Sequence, residues 1–196
     1  MNKTRIEAFS DGVLAIIITI MVLEIKIPHE VSLEALTKLL PVFSSYFLSF
    51  LFIGLYWANH HHVFHTVKKV NSKIIWANMG LLFSLSLIPF TTGWMGENHY
   101  AELPVALYCI NLFVCGVAAY ILQLAITHGL PEEDSVFVVI KSNMRKTVIS
   151  VMMNIISIPC AFFYPMVSLF LIAILVIMWI IPDKRIEQLM AEEYAS

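Results

Sequence analysis

The sequence predicts an all-α, polytopic membrane protein, one domain over residues 1–196 with six transmembrane helices. Three observations carry that expectation. Hydrophobic residues make up 59% of the chain against 13% charged, with a mean hydropathy of +0.81, beyond the apolar share of soluble domains. These residues come in successive long runs, and a helix rising 1.5 Å per residue needs about 20 of them to cross roughly 30 Å of hydrocarbon. The Lys and Arg residues, finally, are sorted between the loops as a multi-span topology requires.

The spans fall at about 4–27, 36–64, 74–94, 103–128, 143–163 and 165–181. The first run, RIEAFSDGVLAIIITIMVLEIKIP, opens polar at Arg5, Glu7, Ser10 and Asp11, is apolar from Val13 to Leu23, and closes on Pro28. The second ends in the cluster YWANHHHVFH, and the third carries Pro89, a kink position. Pro165 stands where the sixth helix begins, a position at which its missing N–H costs nothing. The FFYP link before it makes the last two spans a tight antiparallel hairpin. Pro28 with Ser32, Asn71 with Ser72, Gly96 with Asn98 and Gly129 with Pro131 supply turns and caps at the other breaks.

With six spans both termini share a side. That side holds Lys3, Arg5, Lys68, Lys69, Lys73, Lys141, Arg145, Lys146, Lys184 and Arg185, the other only Lys26 and Lys38. Basic residues favour the cytoplasm, so both termini are expected there, in a multi-pass protein of the plasma membrane. The first span lacks a small-residue cleavage site and is polar at its start, so the chain is expected to insert through its own helices without a separate signal peptide. The segment 183–196 reads as an amphipathic tail. No basic block interleaved with aromatics suggests nucleic acid. Cys109, Cys115 and Cys160 lie inside apolar runs without CxxC spacing, against a disulfide framework or a zinc site.

Asp11 is the unusual residue of the first helix. A carboxylate at membrane depth is costly and faces protein or water, and this helix is expected to line an ion path. At about 100° per residue Asp11 points roughly 140° away from the stripe Ile16, Ile20 and Leu23, which is flanked by Thr19. If the stripe faces a pore, Asp11 and Ser10 face neighbouring helices as interhelical ties. By spacing alone the signal is weak: the helix is apolar all round, and lipid contact or core packing is the default reading of the stripe. In the histidine cluster, His61 and His65 at i, i+4 have metal-pair spacing, but His29, His99 and His128 are scattered. The cluster reads better as hydrogen bonding toward Ser10, Asp11 or Asn78, with Trp57 and Trp76 as indole donors. No GxSxG and no cysteine–base pair supports nucleophilic catalysis.

Arg5-x-x-x-Phe9-Ser10-Asp11 followed by GVLAIIIT, then Tyr56-Trp57-x-x-His60-His61-x-x-Phe64, then Asn78 and Ile88-Pro89-Phe90-x-Thr92, resembles the signatures of the transmembrane protein 175 family. The motifs concentrate in residues 5–92. The resemblance implies a potassium-permeable cation channel, weakly selective over sodium, that passes K⁺ and other monovalent cations without a resident cofactor or metal. It implies a homotetramer in which the first helix of each subunit lines the central pore. The family's narrow positions, five, nine and twelve residues after the motif aspartate, fall on Ile16, Ile20 and Leu23. Thr19 would then offer its hydroxyl to a passing ion. Arg5, Phe9, Ser10 and Asp11 would tie the pore helix to the next two helices through Trp57, His60, His61 and Asn78, with His62 and His65 outside the pattern.

Two other readings remain beside it. A proton-coupled transporter would use Asp11 and the His60–His65 cluster as a relay, since imidazole titrates near neutrality. A membrane metalloenzyme would use His60, His61, His62 and His65 as ligands.

Overall fold

A computed structural model describes residues 3–67, 69–128, 130–131 and 134–181, and forms only helices among them. Lys68, Gly129, Lys184, Arg185 and the tail 183–196 lie outside the described residues, as does the side chain of His65.

Helix α1 runs Lys3–Leu23 and, at 21 residues, is roughly 31 Å long, a full membrane crossing. A short helix α2, Leu33–Thr37, follows, capped by Ser32, whose Oγ accepts from the Ala35 N–H at 3.1 Å. Helix α3 occupies Leu40–Thr66. The second span therefore starts at Leu40 and not at 36. Pro41 supplies no N–H for the Thr37 carbonyl, so the α2 ladder breaks and helix restarts with Pro41 in the first turn, where its missing donor costs nothing.

Asn71 caps α4, Ser72–Ser86, by accepting from the Ile74 N–H at 3.0 Å. Leu87 interrupts the ladder, and α5 continues as Ile88–Glu97. Pro89 explains the interruption, because Leu85 O has no N–H four residues on. Together α4 and α5 make one apolar stretch of membrane-crossing length. Helix α6, Glu102–Thr127, is another. Helix α7, Ser135–Ala161, begins well before the expected 143, because helix continues past the apolar stretch through Lys141, Arg145 and Lys146. Pro159 sits inside α7 without ending it. Pro165 is the first residue of α8, Pro165–Ile180, and the turn between them closes with Tyr164 N–H on Cys160 O at 2.7 Å.

Helix α6 is the hub, packed on α4, α5, α7 and α8, while α1 lies against α3, α4 and α5. Ile53, Phe64, Ile88, Met95, Tyr108 and Leu112 are fully buried where these helices meet. Hydroxyls tie the centre: Ser49 Oγ lies 2.7 Å from Thr92 Oγ1 and 2.9 Å from Tyr108 Oη, linking α3, α5 and α6. Gly96 lets α5 approach α3 so closely that a Cβ there would collide with Ser45 and sit 2.9 Å from Val42 Cα. Lys146 of α7 donates to Ile181 O at 2.8 Å, completing the end of α8.

Candidate functional site

Helix α1 has two faces. Ile6, Ser10, Leu14, Ile17 and Met21, at steps of four or three, are buried against α3, α4 and α5. The opposite face is open: Ile16 is 58% exposed, Ile20 42% and Leu23 80%. Thr19 is exposed beside them and donates its hydroxyl to Ile16 O at 2.9 Å. That bond uses the hydroxyl proton and leaves lone pairs of Oγ1 on the open face. Arg5 and Phe9 are exposed, on the same side of α1 as that stripe.

The buried face carries a relay of polar groups. Asn78 on α4 donates through Nδ2 to Ser10 Oγ at 3.0 Å, and its Oδ1 lies 2.8 Å from His60 Nε2 on α3. With the amide so oriented, His60 carries its proton on Nε2 and donates it. Ser10, Asn78 and His60 are all buried, so three helices are tied where water cannot compete. His60 also stacks on Phe64, with ring centroids 4.3 Å apart. Beside this relay Trp57 donates its indole N–H to Asp11 Oδ1 at 3.0 Å, and His61 stacks on the Trp57 ring at 6.2 Å. Trp76 is 73% exposed and takes no part. The structure thus brings together Ser10, Asp11, Trp57, His60, His61 and Asn78.

Just beyond the far end of α1, Lys26 pairs with Glu97, the last residue of α5. The hydrogen bond from its ammonium to Glu97, then the charge of that carboxylate, holds the Lys26 pKa above its usual value. The sequence reading missed this pair, because neither residue belongs to a motif. It also missed the hydroxyls around Tyr108, and Gln123 and Asn154 in α6 and α7. Each carries in the sequence only the signal of a polar residue within an apolar run, the general mark of an interhelical tie. Among the described residues no group of three or more His, Cys, Asp or Glu is placed to hold a metal ion.

Long apolar helices, locked by buried polar ties, define a multi-pass helical membrane protein. The family described as the endosomal/lysosomal potassium channel TMEM175 matches residues 5–89. A protein of Chryseobacterium named as a potassium channel is 47% identical over 192 residues, spanning 98% of this chain and all of that one. The crystal structure of a lysosomal potassium-selective channel TMEM175 homologue from Chamaesiphon minutus superposes with a TM-score of 0.77 at 25% identity, over 90% of this chain and 95% of that one. The human endosomal/lysosomal proton channel TMEM175 is 38% identical over 99 residues, 44% of this chain but 19% of its own length. The chain belongs to the TMEM175 family, a family of ion channels and not of enzymes.

Proposed function

We propose that this protein is a single-domain, six-span potassium channel of the plasma membrane, with both termini cytoplasmic. It assembles as a homotetramer that passes K⁺, and less readily other monovalent cations, through a pore lined by α1. The observation that carries this reading is the stripe Ile16, Ile20 and Leu23, which is exposed among the described residues while the reverse face of α1 is fixed to three helices. Four such stripes around an axis give the ion a path that one subunit lacks. The ten-to-two division of Lys and Arg supports the orientation.

In this arrangement Ile16 side chains meet at a constriction that excludes hydrated ions when narrow and dewets readily. Slight widening favours K⁺ over Na⁺, because K⁺ sheds water at lower cost. The free lone pairs of Thr19 Oγ1, one turn beyond, take the place of part of the lost hydration. Ser10 and Asp11 hold the helix at its radius through Asn78, His60 and Trp57. Arg5 and Phe9, open in the single subunit, face the neighbouring copy.

Reconstitution into liposomes with a potassium gradient tests the reading. K⁺ flux that rises in Ile16→Asn, with weaker discrimination against Na⁺, is the expected result. Flux indifferent to the substitution would move the constriction off Ile16. Saturable flux coupled to a proton gradient, in place of passive conduction, would favour the transporter built on Asp11 and His60.

A further inference from the structure

Helix α7 carries two cations that the fold leaves unused. Lys141 and Arg145 are exposed, four residues apart, and neither side chain enters an ion pair or hydrogen bond among the described residues. Lys141 rests over the Phe137 ring, its Nζ 5.1 Å from the centroid, which covers one side of the ammonium. The nearest described carboxylate in sequence, Asp134, lies seven residues earlier, about 10 Å along the axis. Like charges at i, i+4 repel, and nothing described in the chain offsets that repulsion. Lys146 differs from both: its ammonium is engaged by Ile181 O at 2.8 Å and lies 5.8 Å from the Trp179 ring.

The same face turns apolar one step further along. At 100° per residue Lys141, Arg145, Val148, Met152, Ile155 and Ile156 fall within an arc of about 100°. Val148 is 45% exposed, Met152 56%, Ile155 46% and Ile156 56%. The bond from Lys146 to Ile181 O marks the level at which α8 ends, and with it the edge of the apolar belt. Arg145 and Lys141 lie roughly 1.5 and 7.5 Å further out along α7. The headgroup layer on each side of the hydrocarbon is about 5–7 Å deep, so the two cations span it.

We propose that this face of α7 binds an anionic phospholipid, one per subunit. A soluble anion would match the cations and leave the stripe uncovered; a neutral lipid would cover the stripe and leave the cations unpaired. An anionic phospholipid matches both, in the order and at the depth in which the helix presents them. Side chains at i and i+4 stand about 5–6 Å apart at Cβ, near enough to share one phosphate. Helical side chains lean toward the N-terminus, here outward, which brings Arg145 up to the level of Lys141. The guanidinium fork then donates to two phosphate oxygens and the open side of the Lys141 ammonium to a third. The acyl chains lie along Val148, Met152, Ile155 and Ile156. The site requires only that the α7–α8 hairpin stands in a bilayer, and it does not depend on the conduction reading.

The test is native mass spectrometry of the full-length protein, released from micelles titrated with phosphatidylglycerol. The expected result is saturable retention of one phosphatidylglycerol per subunit, with phosphatidylcholine held at least about tenfold more weakly. Affinity is expected to fall about fivefold in Lys141→Gln and in Arg145→Gln, and roughly thirtyfold when both are made. Both side chains are exposed, so these variants keep the fold. Lys69→Gln with Lys73→Gln removes the same charge from what the sequence places on the same side, and should change affinity less than about twofold. Glycerol phosphate, the headgroup phosphate without chains, is expected to compete more than about a hundredfold more weakly. Equal retention of phosphatidylcholine would reduce the face to ordinary lipid contact. An equal loss in the Lys69 and Lys73 variant would assign the effect to the general positive charge of that side. Glycerol phosphate competing as well as the lipid would make this a site for soluble phosphate. Each of these three results would overturn the proposal.

Discussion

The two faces of α1 are nearly equal in apolarity and opposite in fate. Ile6, Leu14, Ile17 and Met21 are buried, whereas Ile16, Ile20 and Leu23, interleaved with them, are open. In a soluble helix polarity would assign the inside. Here it does not, because lipid is as apolar as leucine and gives no hydrophobic reason to prefer either face. What differs is the position of a few polar atoms. Ser10 and Asp11 point to Asn78 and Trp57, and those hydrogen bonds orient the helix about its own axis. Apolar packing then fixes its depth and tilt, and the remaining stripe is left for something outside the subunit.

The comparison can be broken from either face. The largest effect is expected on the open one: Ile16→Asn raises K⁺ flux in liposomes about tenfold, equivalent to a barrier lowered by roughly 1.4 kcal/mol. On the buried face, Asn78→Ala orphans both Ser10 and His60 and is expected to cost roughly 1–3 kcal/mol, read as a lowered unfolding midpoint in detergent. A loss below about 0.5 kcal/mol would mean that apolar packing alone orients α1. Trp57→Phe removes the single bond to Asp11 from a partly open position and should cost nearer 0.6 kcal/mol.

Lys26→Gln is expected to act least, because the pair is exposed and screened. Its pH dependence is specific. Glu97 raises the Lys26 pKa above 10.5, so the stabilisation is complete below that value and disappears as pH rises through the folded-state pKa. Wild type and variant should therefore differ slightly in unfolding midpoint at pH 8 and converge at strongly alkaline pH.

These effects also separate what the sequence makes visible from what it hides. Hydropathy locates α1, α6 and the combined α4–α5 stretch well, because apolar residues dominate each of them over a membrane's width. It misplaces the start of α7, where Lys141, Arg145 and Lys146 end the apolar signal but not the helix. It does not see the break at Thr37 to Leu40 either, which depends on Pro41 removing one backbone donor. At the candidate site, Ser10, Asp11, Trp57, His60 and Asn78 are visible as costly polar residues in apolar surroundings. Their pairing is not, since Asn78 and Ser10 are 68 residues apart in the chain. Trp76 shows the limit: it satisfies the same sequence criterion as Trp57, yet faces outward.

The length of α8 has a consequence for the bilayer. Its 16 residues extend about 24 Å, short of the roughly 30 Å of an average hydrocarbon core. The part of α7 beyond Lys146 is no longer, and Lys146 itself reaches for Ile181 O at the end of α8. This hairpin therefore presents a thin apolar belt beside the longer one of α6. Lipid next to it must compress or the hairpin must stand more upright than its neighbours, each at a cost of fractions of a kilocalorie per mole for every ångström of mismatch. Acyl-chain length thus becomes a variable of the fold: longer lipids strain the α7–α8 side first, and shorter ones relieve it.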